Sequence, residues 1–198
     1  MSKTVVGFRV KSGWAVAVLI GGAPASPVLL DVRRVQLSDP AVPDSVQPFH
    51  AGLERPGDKG AKEVARLVAI VERFAERSVA DLLKTYADRA GTLAGAGIVV
   101  GSQVDPATIK QDHIRAHAEE GRLFRSGIVD AAKRFGLHTT VVSEKNLLTD
   151  ASAALRRSIP LLQKAVAALG RDVEGGWRAE HKGAALAALM ACESELHS

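Results

Sequence analysis

Aromatic residues are scarce in this chain of 198 residues: five Phe, two Trp and one Tyr make up 4% of it. A single-strand nucleic-acid binder built on stacking bases against aromatic platforms is therefore poorly supported. Val, Leu, Ile and Ala must fill the core instead. Cysteine is limited to Cys192, so no internal disulfide can form, which fits a reducing compartment. No apolar stretch reaches the roughly 18 residues of a membrane-spanning helix. Met1-Ser2-Lys3 leads straight into a strand-like run, without the architecture of a signal peptide. These absences make the cytoplasm the expected compartment and a membrane an unexpected partner.

Several catalytic signatures are missing as well. There is no G-x-S-x-G elbow to support a serine triad, and neither a G-x-G-x-x-G fingerprint nor a P-loop. Cys192 lies in an Ala-rich helical pattern with no evident activating partner, which argues against a catalytic thiol. An excess of one charge is also lacking: 26 Lys and Arg stand against 22 Asp and Glu, a formal net charge of +4. That balance permits nucleic-acid binding without demanding it. No internal repeat and no low-complexity tail is present.

What is present is a globular composition, 46% apolar and 24% charged. The length suits one domain over residues 1–198, with a loop insertion at about 38–60. Thr4 to Ile20 reads as strand, split by a turn at Ser12-Gly13, and Gly21-Gly22-Ala23-Pro24 breaks it. With a further strand near residues 27–37, the opening is a three-stranded antiparallel meander. Ser38 to Gly60 is rich in Pro, Asp and Gly and reads as a long loop with a short helix around Phe49 to Leu53; loops of that length are often functional.

Ala61 to Tyr86 carries Val64, Leu67, Val68, Val71, Phe74 and Ala75 at helical spacing. Leu93 to Val100 suits a buried strand. Asp105-Pro106 is expected to cap a helix that runs to about Phe135 and ends at Gly136. His138 to Val142 reads as another buried strand. Thr149 or Asp150 is expected to cap a helix from Ala151 to Leu169, disturbed in its middle by Pro160. Gly170 stops it, Gly175-Gly176 forms a joint, and Trp177 to Leu196 reads as a final helix. The order β-β-β-α-β-α-β-α-α implies an α/β fold with a mixed sheet and helices on its faces.

The opening Val5-Val6-Gly7-Phe8-Arg9-Val10-Lys11-Ser12-Gly13-Trp14-Ala15 resembles the first hairpin of the ribonuclease H-like superfamily, which includes the Holliday-junction resolvases. The closing His181-Lys182-Gly183-Ala184-Ala185-Leu186-Ala187-Ala188 resembles that family's last helix. The resemblance follows most of the chain in order, on short motifs. It implies a ribonuclease H-like mixed sheet. It also implies an acid on the first strand, another at the fourth strand and one or two on the last helix, together holding two Mg²⁺ ions. This chain departs from that pattern. Arg9 stands at the first-strand position, and His181 and Ala184 stand at the last-helix positions. Only Asp105 and Glu180 could substitute. A cation at Arg9 in a di-metal site would repel the metals, so two-metal nuclease chemistry is not expected.

The densest polar stretch runs from Asp112 to Arg125. At about 100° per residue, His113, His117 and Glu120 share one helical face, which continues as Phe124, Ile128, Ala131 and Phe135. The stripe that packs on the sheet thus becomes polar at the end nearest the edge where open α/β sheets bind ligands. His at i and i+4 with Glu at i+7 could hold a divalent metal, with His181 as a fourth ligand. The same cluster with Arg115 and the helix N-terminus could instead hold a phosphate, or it could be a solvated tip of an overlong helix. Lys11-Ser12 in the hairpin turn suits phosphate contact in relatives of this fold and equally suits a plain tight turn. Glu144, after the last strand, falls on the same edge and could support a His or Arg. The Ala-rich last helix allows close packing on the domain or on a second copy.

Three readings follow. The first is a non-nuclease domain that binds nucleic acid or a phosphate-bearing ligand through Arg9, Lys11, Ser12, Asp105, Arg115, Glu144 and His181. The second is a metal-dependent hydrolase using His113, His117 and Glu120. The third is a structural or assembly protein without catalytic activity.

Overall fold

A computed structural model describes residues 4–23 and 26–194. Met1-Ser2-Lys3, the break at Pro24 and the expected helix end at Leu196 lie outside the described residues. Three antiparallel strands open the chain: β1 (Thr4–Lys11), β2 (Trp14–Ala23) and β3 (Ser26–Gln36). Gly13 makes the first turn possible: its φ of 78° is one that residues with a side chain rarely adopt. Lys11 faces Trp14 across the turn. β4 (Leu93–Val100) lies parallel to β1, and β5 (His138–Ser143) lies parallel to β4, giving a five-stranded mixed sheet in the order β3-β2-β1-β4-β5. β1 is the central strand.

Among the described residues, six α-helices accompany the sheet: α1 (Pro48–Leu53), α2 (Asp58–Ala90), α3 (Asp112–Arg134), α4 (Leu147–Ala154), α5 (Ile159–Leu169) and α6 (Ala179–Ser194). Alternation along β1 divides the core in two. Val6, Phe8 and Val10 face Val71, Leu83 and Tyr86 of α2 and Phe124 and Ile128 of α3. Val5 and its same-face neighbours on the sheet meet Leu147, Leu162, Val166 and the alanines of α6. α3 and α6 therefore cover opposite faces.

α6 sits unusually close to the sheet because its contact partners lack side chains. A Cβ on Gly7 would fall 1.8 Å from the Ala184 carbonyl oxygen, and one on Gly97 would fall 1.9 Å from that of Ala187. Ala184, Ala185, Ala187 and Ala188 are buried in this contact, so the alanine-rich stripe is used within the chain. No helix among the described residues is long and apolar enough to cross a membrane.

Four local expectations need correction. Asp105 does not cap the long helix. Its carboxylate accepts from the Ala107 N–H at 3.1 Å and caps a separate 3-10 turn (Pro106–Thr108), while α3 begins at Asp112. Pro160 does not disturb a helix interior. It occupies the first turn of α5, where its missing N–H costs nothing, and the chain between α4 and α5 is a true break. Thr149 is inside α4, its hydroxyl donating to the Asn146 carbonyl rather than capping. The apolar stripe of α3 is buried as expected at Phe124, Ile128 and Ala131, but Phe135 falls past the helix end and is exposed.

Candidate functional site

The parallel strands β1, β4 and β5 all point their C-terminal ends at one edge of the sheet, where strand ends and following loops leave a crevice. A cleft of about 670 Å³ opens there. Its wall is formed by Arg9, Lys11 and Ser12 of the first hairpin, Gly101 and Ser102 after β4, His117 of α3 and Glu144 after β5. A neighbouring cavity of about 460 Å³, lined by Leu147, Leu162, Val166, Lys182 and Leu186, shares Arg9 and Glu144 with it.

Arg9 is the unusual residue in this wall. It sits on the central strand opposite Val16 and Val99, with 3% of its surface exposed. A buried guanidinium must be paired and hydrogen-bonded to be tolerated. Here one terminal nitrogen donates to the Val10 carbonyl at 2.8 Å and the other pairs with the Glu144 carboxylate. A Cβ on Gly183 would lie 3.7 Å from Arg9 Cδ, so the side chain runs beneath α6. Lys11 Nζ lies 3.9 Å from Glu180 Oε1. A hydrogen bond from its own backbone N–H, aided by Lys11 and Arg9, holds the Glu180 carboxyl below the ordinary carboxylate range against the opposing effect of burial.

The acid pattern of a two-Mg²⁺ nuclease does not fit these residues. The first-strand position is a buried cation, already joined to the carboxylate nearest it. Ala184, on the last helix, offers no ligand and is packed on Gly7. His181 turns its ring onto Trp177, with centroids 5.4 Å apart and planes within 15°, and its Nδ1 accepts from the Arg178 N–H at 3.0 Å.

On the opposite face, α3 does present His113, His117 and Glu120 together, and it brings them to a residue that the periodicity could not reveal. His50 of α1 completes a triangle with the other two rings: the three ring centroids lie 4.7, 4.3 and 4.7 Å apart, and each ring offers a nitrogen within 4.8 Å of the others. Glu120 is fully buried beneath them. Its Oε1 accepts from His50 Nδ1 at 2.8 Å and from the His50 backbone N–H at 3.3 Å, while its Oε2 is 3.8 Å from His117 Nδ1. Glu120 is thus a brace for the histidines rather than a member of the exposed set. His181 lies with α6 on the other side of the sheet and is no fourth ligand.

Of the remaining residues singled out in the sequence, Arg115 pairs with Asp112 and donates to the Ile109 carbonyl at 3.3 Å. It borders a depression with Phe49 and Gly52 and is not part of the cleft wall. Asp105 is spent on its own 3-10 turn. The structure therefore gathers two groups: Arg9, Lys11, Ser12 and Glu144 in the cleft, and His50, His113 and His117 over Glu120, with His117 touching both.

Thermus thermophilus RuvC, solved in complex with a Holliday junction substrate, superimposes with a TM-score of 0.58 at 14% identity, over 99% of this chain and 96% of that one. The fold is ribonuclease H-like. A second structure of Thermus thermophilus RuvC matches with a TM-score of 0.56 at 12% identity, over 98% of this chain and 96% of that one. At these identities the ribonuclease H-like relationship is one of architecture. No protein-family model and no curated protein matches the chain.

Proposed function

We propose that this chain is a non-nuclease ribonuclease H-like protein that binds nucleic acid, or another phosphate-bearing ligand, in the cleft at the C-terminal edge of the sheet. The observation that carries the proposal is Arg9: a buried guanidinium on the central strand, at the place where the resemblance calls for a metal-binding acid. In a metal-dependent relative, divalent cations would meet the phosphate there. A guanidinium fixed by Glu144 and the Val10 carbonyl supplies positive charge at the same place without a metal, and Lys11 adds a second cation at the cleft mouth. Ser12 offers a small hydroxyl in the hairpin turn. The likeness to a RuvC solved with a Holliday junction supports the class of ligand. Such a protein would act in the cytoplasm, where nucleic acid is reachable.

The cleft cations face Glu144 and Glu180, so their field is partly cancelled and the binding expected is salt-sensitive and modest. Fluorescence anisotropy with a labelled four-way DNA junction, a duplex, a single strand and inorganic polyphosphate, each at low and high salt, tests the reading. Binding at low salt should weaken with added salt, and Lys11→Ala should weaken it and flatten the salt slope. Arg115→Ala, at a residue tied to Asp112, should do less. Addition of Mg²⁺ should produce no junction cleavage. Absence of binding to every probe at low salt, or Mg²⁺-dependent cleavage, would overturn the proposal.

A further inference from the structure

We infer that His50, His113 and His117 form a binding site for a borderline divalent transition metal, with zinc the preferred ion, and that Glu120 is its buried positioning carboxylate. The inference is independent of phosphate binding in the cleft and stands if no nucleic acid binds.

The geometry begins with α3, whose i, i+4 spacing puts His113 and His117 side by side on one face. The segment between β3 and α2 then carries α1 across that face and delivers His50. Three imidazole nitrogens within 4.8 Å of one another need only small ring rotations to reach a common ion at Zn–N distances of about 2.0–2.1 Å. Imidazole donors suit zinc, copper, nickel and related ions and do not suit Mg²⁺ or Ca²⁺, which take oxygen.

Glu120 makes this more than a chance meeting of side chains. By accepting from His50 Nδ1 it fixes the proton on that nitrogen and leaves the lone pair on Nε2. That Nε2 is buried and has no hydrogen-bond partner. A buried acceptor without a partner is destabilising, and a metal ion among the three rings would satisfy it. Carboxylate, histidine and metal in line is the arrangement by which proteins orient a ligand ring and raise its basicity. The second Glu120 oxygen, also buried and unpartnered, lies on the His117 side of the cluster. His113 and His117 are exposed, so an ion can enter from solvent. Three protein nitrogens leave one tetrahedral position for water or an anion. Bound metal would also clasp α1, and with it the long segment before α2, onto α3.

The test uses the full chain without a polyhistidine tag, stripped with chelator and titrated with Zn²⁺ against a colorimetric competitor, and with Co²⁺ followed by its visible absorption. About one equivalent per chain is expected, with the intense bands of a low-coordinate nitrogen site in the cobalt form. His117→Ala, a change at an exposed side chain, should abolish tight binding, as should His50→Ala. Glu120→Gln should weaken binding about 10- to 100-fold. His138→Ala, at an exposed histidine on β5, should bind as the parent does. Zinc should raise the melting temperature of the parent and leave that of His117→Ala unchanged. Parent protein that binds well under one equivalent, or binding that survives His50→Ala and His117→Ala alike, sinks the inference; three rings packed against each other would then be the whole content of the cluster.

Discussion

His50 Nδ1 and Glu120 Oε1 are 2.8 Å apart, joining residues separated by 70 positions in the chain. The same oxygen accepts the His50 backbone N–H. One buried carboxylate therefore anchors both the side chain and the main chain of α1. Removing it strands two donors beneath a covering helix. Glu120→Ala should destabilise the protein by about 1–3 kcal/mol, read from urea unfolding midpoints. It should also release α1, seen as faster amide hydrogen exchange over Pro48–Leu53 with α3 little changed. Unaltered exchange in α1 would show that the apolar contacts alone hold it.

A second buried charge gives an asymmetric prediction. Arg9 is buried, while the Glu144 side chain is 56% exposed. Glu144→Ala leaves the guanidinium buried with only the Val10 carbonyl in reach; Arg9→Met leaves a carboxylate that water can solvate. Glu144→Ala should cost about 2–3 kcal/mol, less than the about 3–5 of a fully enclosed pair because solvent screens the glutamate. Arg9→Met should stay within about 1 kcal/mol of the parent, since an apolar side chain of similar volume suits the cavity beside Leu147 and Leu186. Equal losses in the two variants would mean that Arg9 can turn out to solvent.

These two pairs also mark what was legible in the sequence. Element order was readable because strand alternation, the Gly13 turn and the glycines that follow α3 and α5, Gly136 and Gly170, are local signals, and they agree with one another. Arg9 was readable as a departure, because an acid was called for at that place. The His113, His117 and Glu120 face was readable from a 3.6-residue period. His50 was not, because its proximity depends on how a long irregular segment folds back over α3, and no period spans that distance. A signal was nonetheless available: a histidine behind Pro48, in a short helix within an otherwise irregular loop, in a chain with only six histidines. The separate turn at Asp105 was hidden because a capped proline start looks the same for a 3-10 turn as for a long helix, and the split of α4 from α5 at Pro160 was hidden for a different reason. Proline marks the start of a helix as readily as it damages one, and only packing decides which.

Close approach of α6 to the sheet yields a glycine series. Gly7→Ala and Gly97→Ala would drive a Cβ into backbone carbonyls, which cannot rotate away as a side chain can. Each should cost about 2 kcal/mol or more. Gly121, inside α3 with open space around its Cα, should behave in the opposite sense, and Gly121→Ala should gain about 0.5–1 kcal/mol. Thermal and urea unfolding of the three variants would check the order. A neutral Gly7→Ala would mean that α6 is free to lift from β1.

His181 gives the protein a pH dependence of defined sign. Burial against Trp177, assisted by Arg178 and opposed by Glu180, pushes its imidazole below the ordinary value of 6.5. Between the folded and unfolded values the unfolded chain binds the additional proton, so stability rises with pH across that window. The contribution is fully present above 6.5 and is lost as pH falls through the folded-state value. Glu180, whose carboxyl is also held low, adds a loss of the same sign further down, as pH falls below 4.5. A His181→Gln variant should flatten the upper part of the profile and leave the lower part in place. Urea midpoints of parent and variant, taken from neutral pH down through both ranges, separate the two. Parallel profiles for parent and variant above the carboxylate range would show that the ring leaves Trp177 on protonation at no cost to the fold.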